Sequence, residues 1–98
     1  MAQQVFKITN ATDVKLISIG DGVSVIKSMT IANIHSADAT VDLYLKNAAG
    51  TIYYISKSLV LPTGVTLKMD SNEVSFDNRL YDLYINLGGS TPVDVIIN

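Results

Sequence analysis

Between Lys27 and Lys46 the chain alternates apolar and polar side chains in two short arms flanking a small polar segment. In the first arm Met29 and Ile31 alternate with Ser28, Thr30 and Ala32; in the second, Val41, Leu43 and Leu45 alternate with Asp42, Tyr44 and Lys46. A period of two marks a strand with one buried face, because successive side chains of an extended backbone point to opposite sides. With Ser36-Ala37-Asp38-Ala39 as the turn, the stretch reads as a central hairpin.

The same grammar continues on both sides. Val5-Phe6-Lys7-Ile8 reads as a first, edge strand, closed by the turn-forming run Thr9 to Asp13. Val14 to Ile19 follows, and Gly20-Asp21-Gly22 supplies a tight reversal. From Val23 to Ile34 apolar residues fall on both parities, with Val25, Met29 and Ile31 on one and Ile26, Ala32 and Ile34 on the other. That predicts a long strand bending between two sheets. Asn33 stands at its end, where an amide side chain can satisfy loop backbone groups that would otherwise be buried unpaired.

Asn47-Ala48-Ala49-Gly50 reads as a hairpin loop with Gly50 in the left-handed region, returning the chain as Thr51 to Ser56 and completing a meander. Leu59 to Leu61 and Val65 to Met69 flank the turn Pro62-Thr63-Gly64 as a pair of short strands. Tyr81, Leu83, Ile85 and Leu87 share one face of a late core strand, and Val93, Val95 and Ile97 one face of the last. Parity does not choose between Ile52/Tyr54 and Tyr53/Ile55 as the inward pair, and a bulge would make both partly right.

No segment carries a sustained helical period, and turn signals recur every eight to twelve residues or so, as in sandwiches and barrels. The expected fold is all-β: an antiparallel β-sandwich, jelly-roll-like or immunoglobulin-like, of about eight short strands. It forms a single domain over 1–98, with 1–4 as a flexible N-terminal arm.

Composition adds a hint of assembly. Charged residues make up 16% of the 98 positions, against a usual share of about 25%, so the surface is short of charge and suits contact with other protein. A homo-oligomer is expected, with a trimer favoured. The net charge of −2 and the absence of a Lys/Arg cluster argue against nucleic acid, since phosphate binding needs a concentrated basic footprint. No apolar run approaches the ~18 residues of a membrane span, and Met1-Ala2-Gln3-Gln4 does not resemble a signal peptide, so a soluble product made in a cytoplasm is expected. With no cysteine, disulfides and thiolate metal sites are excluded.

Reactive chemistry is sparse. His35, Ser36 and Asp38 lie within one turn and do not provide the separated, oriented groups that nucleophilic catalysis needs. No catalytic residue and no cofactor are assigned, and the chain is read as non-enzymatic. Asp70, Glu73 and Asp77, with Asn72 and Asn78, are hard oxygen ligands of the kind that hold Ca²⁺, but their spacing fits no standard calcium loop, and solvated turns are the simpler reading. The notable enrichment is tyrosine, at positions 44, 53, 54, 81 and 84. Cross-strand packing, protein contact and sugar stacking are the three roles that a tyrosine on a sheet can fill.

At Ile31-Ala32-Asn33, SADATVDLYL, TIYYISKSLVLPTGVTLKMD and FDNRLYDLYINLGGSTPVDVIIN, the chain resembles small virion proteins of tailed phages, marine and cyanobacterial ones especially. The shared pattern is an apolar strand ending in Asn, a Thr/Val-rich partner, a Tyr-rich strand, a Pro-x-Gly turn and a late strand before a polar loop, over roughly residues 23–98. The resemblance implies a capsid decoration or cement protein bound to the major capsid protein on the outside of the shell. A head-to-tail or tail-fibre module is the alternative within that class, and a glycan-binding adhesin module the alternative outside it. Gln3, Gln4, Tyr44, Tyr53 and Tyr84 are the candidate interface residues.

Overall fold

Eight strands carry the alternating segments in the computed structural model, which describes residues 4–9, 13–20, 26–70, 76–89 and 91–98. They are β1 (Gln4–Ile8), β2 (Val14–Ile17), β3 (Ser28–Ala32), β4 (Ala39–Asn47), β5 (Ile52–Leu61), β6 (Thr66–Asp70), β7 (Tyr81–Leu87) and β8 (Val93–Ile97). All pairings are antiparallel, and the strands form two four-stranded sheets, β1-β8-β3-β6 and β2-β7-β4-β5.

The pairs nest. β4 pairs with β5, β3 with β6, β2 with β7 and β1 with β8, so Lys46 meets Ile52 near the middle of the chain while Gln4 meets Ile97 at its ends. The molecule is in effect one long antiparallel ribbon folded over on itself, and the extra pairings β3–β8 and β4–β7 close each sheet. This is jelly-roll connectivity, one of the two sandwich types that the alternation allows.

That topology corrects three local readings. β3 and β4 lie in different sheets, so Lys27–Lys46 is an arch over the sandwich edge and not a hairpin. The reason is that Met29 and Ile31 face Val41 and Leu43 across the core, which satisfies the same alternation as lateral pairing would. The meander is likewise absent: among the described strands only β4 and β5 form a hairpin, and β5 runs unbroken from Ile52 to Leu61. β5 and β6 flank the Pro62–Gly64 turn without pairing, since the turn carries the chain from one sheet to the other. Of the long strand expected from Val23 to Ile34, Ser28–Ala32 is strand; residues 23–25 lie outside the described residues, as does most of the Gly20–Gly22 turn.

Inward positions are filled as the period of two dictates. Met29, Ile31, Val41, Leu43, Leu83, Ile85, Leu87, Val93, Val95 and Ile97 are fully buried between the sheets. Each such side chain stabilises the fold by roughly 1.5–3 kcal/mol relative to leaving it exposed. Asn33 is buried too, and its amide joins the two arches. Its Nδ2 donates to the carbonyls of Ala37 (2.8 Å) and Leu61 (2.9 Å), its Oδ1 accepts from His35 N, and its backbone bonds Gly64 and Val65. The role expected for it as a satisfier of loop backbone is therefore met in both crossing loops.

Two of the glycine turns show the residue where the backbone needs it. Gly50 has φ 89° and closes the β4–β5 loop, where Asn47 Oδ1 accepts from Ala49 N and Thr51 N. Gly64 has φ 76° beside the Val65 N to Pro62 O bond. Along β5 the register with β4 slips twice, between Val41 and Leu43 and between Leu43 and Tyr44. Ser58 there adopts φ 56°, and its N–H donates to Asp42 Oδ1 at 2.6 Å. Bulges of this kind bend an edge strand and blunt it against pairing with other chains.

Candidate interaction surfaces

The outer face of the β2-β7-β4-β5 sheet is built around a cross-strand row. Lys15 of β2 pairs with Tyr84 of β7, Tyr84 with Tyr44 of β4, and Tyr44 with Tyr54 of β5. Three tyrosines from three strands thus stand side by side on the solvent side of the sheet. Tyr44 and Tyr84 are stacked, with centroids 5.3 Å apart and planes at 6°, and Tyr54 leans on Tyr44 at 5.6 Å and 58°. Offset and tilted arrangements of this kind add about 0.5–1.5 kcal/mol per pair beyond area burial.

Lysines complete the layer. Lys15 and Lys46 lie over the Tyr84 ring, 5.8 and 5.4 Å from its centroid, and Lys57 lies over Tyr54 at 4.6 Å. Tyr84 therefore carries a stacked ring and two ammonium groups against it, while Tyr54, with Lys57 over its ring, remains 49% exposed. The carboxylates beneath are committed to the backbone or to polar side chains. Asp82 accepts from Ile19 N and lies 3.8 Å from Lys15 Nζ; Asp42 accepts from Ser58 N and lies 3.9 Å from Lys57 Nζ. Asp13 accepts from Asn86 Nδ2 and from the Tyr44 hydroxyl.

Tyr44 consequently behaves as a core residue on an outer face, only 3% exposed. Burial pushes its phenol well above the ordinary tyrosine range, and the Asp13 carboxylate, as hydrogen-bond acceptor and as a nearby negative charge, pushes it further.

A second surface lies at the hairpin end of the sandwich. Tyr53 pairs with Leu45 on the inward side, yet it is 51% exposed and meets Tyr81 edge-on at 6.0 Å. Beside them Ile19, Ala48, Ala49, Arg79, Leu80 and Tyr81 line a shallow depression, with Leu80 56% exposed. Leu80 is lifted there by a tight turn in which Leu80 N and Tyr81 N both donate to the Asp77 carbonyl. Asp77 is further held by Arg79, through a backbone N–H at 2.9 Å and the guanidinium at 3.1 and 2.9 Å, which keeps its carboxyl below the usual carboxylate range.

The candidate interface residues separate on this geometry. Gln3 lies outside the described residues, whereas Gln4 is the first residue of β1, paired with Ile97, and so belongs to the sheet and not to a free arm. Tyr44 is a support and not a contact residue, because its neighbours on β5 and β7 cover it. Tyr84 is half-buried in the row, and Tyr53 is exposed at the hairpin end. Two residues were missed. Tyr54, 49% exposed, is the outward member of the Tyr53–Tyr54 pair, and Leu80, 56% exposed, immediately precedes β7. The signal for Leu80 was an apolar side chain directly after three turn-forming polar residues.

The remaining chemical candidates also find their places. His35, Ser36 and Asp38 are exposed on the β3–β4 arch. Of the proposed calcium ligands, Asn72 and Glu73 lie outside the described residues, Asp77 is engaged by Arg79, and Asn78 is buried with its Nδ2 donating to Ser18 O at 2.8 Å. Asn78 thus ties the turn before β7 to the end of β2, the backbone-bonding role of the simpler reading. Scans of the chain against family models, curated proteins and solved structures each return no match.

Proposed function

We propose that this chain is a non-enzymatic structural protein of a tailed-phage particle, a capsid decoration protein that binds the major capsid protein on the outside of the shell and docks through its hairpin end. The observation that carries the reading is the grouping of apolar side chains there: exposed Tyr53 and Leu80 and half-buried Tyr81, beside a shallow depression lined also by Ile19 and the small residues Ala48 and Ala49. Exposed aromatic and aliphatic side chains grouped beside small ones make the centre of a protein contact, with Arg79 and Asp77 as a polar rim. Jelly rolls serve viral shells and lectins alike, so fold supports the class only by analogy.

The glycan-binding alternative draws less from the site. A sugar stacks on an open aromatic face, whereas Tyr84 carries Lys15, Lys46 and Tyr44 against its ring and Tyr54 carries Lys57 over its own.

The test is quantitative mass spectrometry of purified particles, counting this chain against the major shell protein, followed by rebinding of the Leu80→Asp variant to stripped shells. A simple copy ratio repeated over the shell, with binding lost in Leu80→Asp, is the expected result. A handful of copies per particle would move the protein to the neck or tail, and its absence from particles would overturn the reading.

A further inference from the structure

The tyrosine row divides its sheet face into two flanks of opposite charge. Towards the Asp82 side lie Lys46, Asp82 and the ammonium of Lys15, which leave one net positive charge; towards the Asn86 side lie Asp13, Asp42 and Lys57, which leave one net negative charge. We propose that this face is a self-association surface, packed against the same face of a second copy about a two-fold axis running along the tyrosine row.

The charge arrangement selects both the occupant and the axis. Half a turn about the row lays each flank over the opposite flank of the other copy. Strand by strand, the positions that then meet are complementary. On β4, Lys46 comes to the second copy's Asp42, and on β7, Asp82 comes to its Asn86 amide. On β2, Lys15, drawn towards Asp82, comes to the second copy's Asp13. A two-fold along the strand direction would instead set the positive flank on the positive flank, and like charges across a contact are penalised. An isologous interface needs this kind of self-complementary patch.

The row supplies what the charges do not. Tyr54 and Ile52 project as exposed apolar groups, while Tyr44 and Tyr84 beneath are already fixed by stacking, so little side-chain entropy remains to be lost on association. The contact uses a different face from the hairpin end and does not depend on the particle reading.

Sedimentation equilibrium of the full chain over a range of concentrations tests the proposal. The expected result is a monomer–dimer equilibrium that shifts towards monomer as salt rises and weakens by about tenfold or more in Lys46→Glu, because a complementary pair becomes a repulsive one. Lys68→Glu makes the same charge change on β6 of the other sheet and should leave the dimer intact. A strictly monomeric or a trimeric mass overturns the proposal, as does an equal loss in the two variants. A second measurement uses the absence of cysteine. Tyr54 sits on the proposed axis, and stacked sheets lie about 10 Å apart, too far for a direct disulfide but within reach of a short bismaleimide. Tyr54→Cys should therefore cross-link to itself while Thr66→Cys does not; the reverse pattern would place the contact elsewhere.

Discussion

Tyr44 stands where residue parity sends a side chain to solvent, yet it is as buried as the core. The consequence is a pH dependence whose sign follows from the raised phenol. A group whose folded pKa exceeds its unfolded value favours folding only while protonated. Its contribution is full below the unfolded tyrosine value of about 10 and is lost as pH rises towards the folded value. Urea unfolding midpoints should therefore fall above about pH 10, and fall less steeply in Tyr44→Phe, which has no phenol to ionise. At neutral pH that variant should lose about 1 kcal/mol through the hydrogen bond to Asp13. A difference between the two proteins that stays constant from neutral pH into this alkaline range would show that Tyr44 ionises freely in the folded state.

At the scale of elements, β5 shows how local rules and topology share control. Hairpin register puts Tyr53 inward opposite Leu45 and Tyr54 outward opposite Tyr44, and Ile55 packs against the core while Ile52 is exposed, so the Tyr53/Ile55 reading of the inward pair is the one realised; the two register slips follow, between Tyr44 and Val41. The slips leave Ser58 at φ 56°, a conformation that costs a non-glycine residue of order 1 kcal/mol. Ser58→Gly should raise stability by about 0.5 kcal/mol, the relief being partly offset by greater freedom of the unfolded chain, whereas Ser58→Val should lower it by about 1–2 kcal/mol. Chemical denaturation of both variants checks the pair, and equal effects would mean that the bulge relaxes on substitution. The inward faces of β4, β7 and β8 were legible because alternation is a local property of the chain. Which sheet β3 joins was not, because Ser36-Ala37-Asp38 serves an arch as readily as a hairpin and Met29 needs apolar neighbours in either case. Tyr44 reads as a contact residue for a related reason: Tyr54 reaches it through the hairpin register, but the cover is completed by Tyr84 of β7, forty residues along the chain, and that pairing is not a local property.

For the whole molecule, nested pairing orders the loop-closure costs. β4 and β5 are joined by the four residues 48–51, while β1 and β8 bring Gln4 to Ile97 and enclose nearly the entire chain. Closing a loop costs more as it lengthens, and each inner pair that forms shortens the effective loop for the next, so the ribbon is expected to assemble from its hairpin outward. Gly50 and Val95 then sit at opposite ends of the sequence of events. Gly50→Ala strains a φ of 89° with no steric contact to the added methyl, so it perturbs the hairpin alone. It should slow folding and leave unfolding nearly unchanged, as for a residue whose interactions exist in the transition state. Val95→Ala opens space in the last-formed sheet, where Val95 is fully buried between β1 and β3, and should mainly accelerate unfolding. Stopped-flow chevrons of both variants separate the cases. If Gly50→Ala instead speeds unfolding while Val95→Ala slows folding, the chain ends are joined early, and the nucleus lies in the β1–β8 pair despite its longer loop.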